Sequence, residues 1–183
     1  FSWREKRMRV ITGKARGRKL SEPVGMDIRP TTDVVKEAVF NIIQFDIEGR
    51  HVLDLFAGTG QLGIEALSRG AASAVFVDQS KAAIKLVREN LEKTGLEGGK
   101  VIQGDSLSYL SGRERFDLIF LDPPYKTNLM ENALKRIVEF DKLNTGGIIV
   151  CECPAEKELP ELKEPYKCLK TYRYGKVKIS VYT

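Results

Sequence analysis

The feature that most constrains this chain begins past residue 50, where short apolar runs rich in Val, Ile, Leu and Phe alternate with segments of helical period. The runs cover residues 51–55, 74–78, 100–103, 116–121 and 147–153, and Gly, Asp or Ser bounds each pair. Runs apolar on both faces suit strands covered on both sides, and strands separated by helices pair in parallel, so the pattern reads as successive βαβ units. After Ser80, the residues Ala83, Ile84, Val87 and Leu91 recur at helical spacing, with Ser80 as N-cap and Gly95 as the stop. Ahead of the sheet, Pro30-Thr31-Thr32-Asp33 reads as the start of a helix that buries Val35, Ala38, Val39 and Ile42 and covers the ligand end of the sheet. Residues 166–174 and 176–182 meet through Gly175, a link too short for a parallel crossover, so they are expected to form an antiparallel hairpin.

A chain of 183 residues can bury a full core as one domain without disulfides or metal. It has no apolar stretch of the roughly 18 residues a membrane span needs and no basic start leading into an apolar secretory core, so a cytoplasmic protein is expected. Cys151, Cys153 and Cys168 form neither a CxxC pair nor a zinc spacing and are expected as buried free thiols. His51 is the single histidine, placed where the first strand begins, which gives it a structural role and leaves no histidine cluster for metal or triad chemistry. No metal is expected. The net charge of +5 is unevenly spread. Residues 1–19 hold eight Lys or Arg against Glu5 alone, and residues 166–183 hold five against no acid, so the stretch between is net acidic. Basic ends around an acidic body point to a phosphate-binding face beside a site for a small cationic ligand.

The first strand ends in Asp54-Leu55-Phe56-Ala57-Gly58-Thr59-Gly60, a carboxylate followed by a glycine-rich turn into a helix, which implies a nucleotide-type ligand. Gly58, Gly60 and Gly63, with Asp78 at the end of the next strand, also satisfy the dinucleotide fingerprint GxGxxG. Against that reading, Asp54 would set negative charge beside a pyrophosphate, and the chain has no second domain to hold a substrate for hydride transfer. S-adenosylmethionine fits better, because it presents an ammonium group, a ribose diol and an adenine amine along the strand ends. Asp54 is assigned to the methionine end and Asp78 to the ribose hydroxyls, and Phe56, Gly58, Gly60 and Gln79 are further cofactor-binding candidates. Asp105 and Ser106 are assigned to the adenine, with N-capping of a short helix as the alternative for Asp105. Thr32, from the helix start, completes the cofactor set.

Asp122-Pro123-Pro124-Tyr125 directly follows the apolar strand 116–121 and so falls at the carboxyl edge of the sheet. An exocyclic base amine is a poor nucleophile, since its lone pair is delocalised into the ring, and its methylation needs acceptors that hold its hydrogens. Asp122 and the carbonyl of Pro123 supply them, the prolines restrict the turn, and Tyr125 offers a ring on which an extruded base stacks. The residues thus read as an S-adenosylmethionine-dependent methyltransferase acting on a nucleic-acid amine.

The chain resembles the RsmD-like bacterial family, which methylates the N2 amine of a guanine in 16S ribosomal RNA. The resemblance rests on Arg9-Val10-Ile11-Thr12-Gly13-Lys14, Arg16-Gly17-Arg18-Lys19-Leu20, Arg29-Pro30-Thr31-Thr32-Asp33, the glycine loop, residues 62–70 and the Asp122 tetrapeptide. It implies an α/β, Rossmann-like class I methyltransferase sheet of seven mostly parallel strands with the last antiparallel. Residues 31–183 then form the methyltransferase domain, and residues 1–30 a basic extension that contacts RNA, although residues 1–7 precede Met8, where the family pattern begins. Gln61 departs from the pattern as a bulkier residue after the second glycine. The implied partner is 16S ribosomal RNA in a small-subunit assembly intermediate, bound by a monomer through Lys14, Arg16, Arg18, Lys19 and Arg29. The first four are expected as a positive rim near the Asp122 turn, with the C-terminal hairpin as the alternative RNA surface. Two rivals carry weight: a DNA or RNA adenine-N6 methyltransferase with the same Asp122 chemistry, which on DNA would need a larger recognition region, and a non-enzymatic RNA-binding module.

Overall fold

The computed structural model describes residues 8–23 and 32–183. Twelve elements follow in the order α1 (Asp33–Ile42), β1 (His51–Asp54), α2 (Gln61–Ser68), β2 (Ser73–Asp78), α3 (Lys81–Thr94), β3 (Gly99–Gln103), α4 (Ser106–Tyr109), β4 (Phe116–Leu121), α5 (Leu129–Glu139), β5 (Leu143–Pro154), β6 (Cys168–Tyr174) and β7 (Val177–Tyr182). The strands form one sheet in the order β3-β2-β1-β4-β5-β7-β6. β1 to β5 pair in parallel, β7 runs antiparallel to β5, and β6 antiparallel to β7. The expected seven-stranded sheet with an antiparallel last strand is therefore present.

Strand side chains alternate between two cores, as a pleated strand requires. Val52, Phe76, Phe120 and Val150 pack with α1, α2 and Val87 of α3. Leu53, Val77, Ile119 and Cys151 pack with α5 and Leu110 on the other face. Local chemistry sets the helix ends: Ser80 Oγ accepts from Ala83 N at 3.2 Å, and Gly95 closes α3 in the left-handed region at φ 65°. Gly63 is the helix–strand contact of the fingerprint, since a Cβ there would stand 2.3 Å from Phe76 Cε1.

Residues 8–20 fold back on themselves, with Val10 N–H donating to the Arg18 carbonyl at 2.9 Å and Leu20 N–H to that of Met8 at 2.8 Å. Met8, Val10, Ala15 and Leu20 are buried in the same core as α1 and α2. Two expectations change. Cys151 and Cys153 are buried thiols, but Cys168 is exposed, because it begins β6 at the open edge of the sheet. β5 starts at Leu143 rather than near residue 147, because Asn144 to Gly147, which reads as a turn, lies inside a register irregularity against β4. No helix among the described residues is long and apolar enough to cross a membrane.

Candidate active site

The parallel strands end at one edge, where Asp54, Asp78, Asp105, Asp122 and the Pro123-Pro124-Tyr125 run line a cleft of about 870 Å³. A cleft at the carboxyl edge is where an open α/β sheet binds its ligand. Phe56, Gly58, Gln79 and Ser106 line it as well. Gly60 and Thr32 are not among the lining residues. Gly60 is buried at φ 81°, where its missing Cβ leaves room for Val87, so it shapes the loop. Thr32 caps α1, its hydroxyl accepting from Val35 N at 3.4 Å. Arg29 lies outside the described residues. Thr59, Leu107 and Lys126, which the sequence did not single out, also line the cleft, as does Gln61, the residue that departs from the family pattern.

Asp54 lies on the floor, buried, with Gly63 N–H donating to its Oδ2 at 3.0 Å. Burial pushes its carboxyl up to about 8 against the pull of that N–H, and the charges of Asp122 and Asp78 add to the rise. No ion pair to Asp54 occurs among the described residues. Asp78 clamps the glycine turn: Gly58 N–H donates to Oδ2 at 3.0 Å and Ser80 N–H to Oδ1 at 2.9 Å. Each oxygen keeps a lone pair for a further donor. Asp105 does cap α4, accepting from Ser108 N at 2.7 Å, a bond that holds its carboxyl below the usual range. Ser106 Oγ donates to the Leu55 carbonyl at 2.7 Å, which ties this strand end to the glycine loop. The capping of Asp105 and its place on the cleft wall are thus both real.

These residues fit S-adenosylmethionine on their own chemistry. Asp54 is a buried carboxylate that a ligand ammonium would compensate, Asp78 offers two acceptor oxygens to a diol, and the left-handed Gly58, at φ 56°, keeps the turn open to a nucleoside. On the far side of the cleft, Tyr125 is half-buried and its hydroxyl donates to Glu152 Oε1 at 3.3 Å. The sequence reading missed Glu152. Its signal was an acid at the end of the apolar run 147–153, the strand-end placement that marked Asp54, Asp78 and Asp122.

The tip of the N-terminal basic segment lies elsewhere than expected, whereas Ser21, two residues after Lys19, is held by Asn90, whose Nδ2 also donates to the Thr59 carbonyl beside the cleft at 3.0 Å. Lys14 N–H donates to the Ser68 carbonyl at 2.8 Å and Ala15 N–H to Ser68 Oγ at 3.0 Å, at the last residue of α2. The first residues of α2, Gln61 and Leu62, line the cleft, so the tip carrying Lys14 and Arg16 lies a helix length from it rather than around the Asp122 turn. Gly13 explains the placement: a Cβ there would stand 1.9 Å from the Ser68 carbonyl oxygen, so the close backbone approach it permits is to α2.

Sheet order, glycine turn and strand-end acids together define a class I methyltransferase that depends on S-adenosylmethionine. The chain belongs to the family described as Conserved hypothetical protein 95, which matches residues 8–183. It is 38% identical over 177 residues to ribosomal RNA small subunit methyltransferase D of Haemophilus influenzae, covering 91% of this chain and 92% of that one. It is 32% identical over 176 residues to the protein of the same name from Escherichia coli K12, covering 96% and 89%. The solved structure of YhhF from Escherichia coli superposes with a TM-score of 0.86 at 31% identity, covering 96% of each chain.

Proposed function

We propose that this protein methylates the exocyclic N2 amine of a guanine in 16S ribosomal RNA, acting as a monomer on a small-subunit assembly intermediate. The observation that carries the reading is the shared cleft: Asp122 is near enough to Asp54 for its charge to be felt there, so the turn that suits a base amine and the carboxylate that suits a ligand ammonium face one space. The names of the Haemophilus and Escherichia relatives support ribosomal RNA as the acceptor. When bound, S-adenosylmethionine supplies an electrophilic methyl group. Asp54 holds the ammonium, Asp78 the ribose hydroxyls, and Asp105 and Ser106 the adenine side. The Asp122 carboxylate and the Pro123 carbonyl would accept the two amine hydrogens and so orient the nitrogen lone pair, and Asp122 would take up the proton that the amine loses. Pro123 is buried and has no N–H, so its carbonyl is fixed, while the Tyr125 ring stacks the extruded base. Lys14, Arg16, Arg18, Lys19 and Arg29 hold RNA phosphates away from the reacting base.

The test is methylation of small subunits from a strain lacking the enzyme, followed by mapping of the modified base. Methylation of a guanine at N2 supports the reading, modification of an adenine at N6 replaces it with the rival, and no transfer to RNA ends it.

A further inference from the structure

Lys14 and Arg16, two of the cations first assigned to the rim, lie away from the cleft, and the register of the sheet brings others to that edge. β5 ends beside the Asp122 turn, where Tyr125 meets Glu152. Cys153 of β5 pairs with Lys178 of β7 and Pro154 with Val177, so β7 begins at the same edge. Tyr174 pairs with Val177, so the β6–β7 turn at Gly175 also projects from that edge, and Ala155 N–H ties it to the β5 end by donating to the Lys176 carbonyl at 2.9 Å. Two strand spacings, about 10 Å, separate the Glu152 backbone from that of Tyr172 along the row Glu152, Ile179, Tyr172.

This tip carries four cations. Arg173 and Lys178 are cross-strand partners, like charges directly opposite each other on one face. Lys170 lies on the other face, its ammonium 4.8 Å from the centre of the Tyr172 ring, and Lys176 is exposed at the turn. None of the four makes an ion pair among the described residues. Cations on an exposed edge strand have a bland explanation, since they deter edge-to-edge aggregation. That covers Lys170 and Arg173 on β6, but not Lys178, which lies on β7 between two paired strands. Opposed like charges cost folding stability, and a polyanion between them removes the cost.

We infer that the β6–β7 tip is a second RNA-binding surface, gripping with Arg173, Lys176 and Lys178 the phosphates that flank the nucleotide whose base enters the Asp122 turn. The partner is single-stranded RNA leaving the base-flipping site, for which a cationic track beside the half-buried Tyr172 ring is suited. The inference rests on the RNA reading above.

The experiment measures methylation of small subunits from a strain lacking the enzyme, with full-length wild type, Arg173→Gln/Lys176→Gln and, as a control of equal charge change, Lys85→Gln/Lys93→Gln on the exposed face of α3. The hairpin pair should raise KM for the subunit roughly tenfold and flatten the salt dependence of log affinity by about 1.4 units, as for two lost contacts to a single strand. Arg173→Lys/Lys176→Arg should restore both, and cofactor affinity should not change. An unchanged KM and salt slope in the hairpin pair overturns the inference while leaving the RNA reading in place. An equal effect of the α3 pair also overturns it, because bulk charge would then suffice. If wild type transfers no methyl group to the subunits, the RNA reading falls first.

Discussion

Asp54 and Glu65 are both buried carboxylates set against α2, and they are treated in opposite ways. Glu65 is surrounded by donors: Lys36 Nζ at 3.1 Å, Arg69 Nε at 3.0 Å, Ile11 N at 2.7 Å and Thr12 N at 3.0 Å. Burial would raise its carboxyl, but those charges and hydrogen bonds outweigh it and leave it below the usual range. Asp54 has one backbone N–H and two neighbouring acids, and its carboxyl is pushed up to about 8. A carboxylate with a complete set of partners fastens the N-terminal segment to the body. One left short of a cation is poised for a ligand that brings one. Predictions that separate these roles compare stability with binding and turnover.

The largest effect is expected at the fastened end. Glu65→Ala strands the buried Lys36 ammonium and should cost about 3–5 kcal/mol in denaturant unfolding, as broken buried pairs do. Lys36→Met with Glu65→Leu removes both charges and should be less destabilising than Glu65→Ala alone. A loss below about 1 kcal/mol, the scale of a surface pair, would show that Glu65 is not the fastening it appears in the geometry.

At the cleft the order reverses. Asp122→Ala should unfold like wild type and bind cofactor nearly normally while turnover falls about 10²- to 10³-fold, the usual loss of one preorganised contact to a reacting group. Asp122→Asn should retain part of the activity. More than half of wild-type turnover in the Ala variant would remove Asp122 from the reaction.

The pH dependence follows from the same contrast. A carboxyl raised on folding stabilises fully below its unfolded range, and that contribution is lost as pH climbs to about 8 for Asp54. A carboxyl lowered on folding contributes above its unfolded range and loses that contribution as pH falls, which is the case for Glu65. Ligand-free protein should therefore lose thermal stability on both sides, and Asp54→Asn should abolish the fall between the acid range and about pH 8. If an ammonium binds only ionised Asp54, cofactor affinity should weaken about tenfold per pH unit below about 8. A flat affinity profile across that range would detach Asp54 from the ammonium.

Much of this was legible in the sequence because it depends on local order. Strand runs apolar on both faces, the Ser80 and Gly95 caps and the acids at strand ends each report their surroundings within a few residues. The Glu65 cluster was not legible, since its donors come from residues 11, 12, 36 and 69, and a glutamate within a helix reads as a solvated face. Gly13 permits a close backbone approach, but the sequence does not say to what. The basic N-terminal run was likewise legible as charge, and only the contact with Ser68 shows which edge of the sheet it faces.

The smallest effect is expected on the outer surface of the fastened segment, where Arg16 and Arg18 are exposed. Their backbone belongs to the fold, through Arg16 N–H to the Gly13 carbonyl at 3.1 Å and Arg18 N–H to that of Ala15 at 3.0 Å, but their guanidinium groups are not needed for it. Arg16→Ala/Arg18→Ala should therefore leave unfolding and cofactor affinity unchanged. In the proposed role of phosphate contacts remote from the base, the two side chains would position RNA without reading it, so their loss should weaken binding of every RNA tested alike. The salt dependence of log affinity should flatten by at most about 1.4 units, and by less where RNA reaches the tip only part of the time. Because α2 separates this tip from the cleft, the loss should be smaller than that from the β6–β7 tip. An equal or greater loss from Arg16 and Arg18 would mean that RNA wraps the end of the molecule opposite the cleft, and the N-terminal fold-back would then be the principal RNA surface.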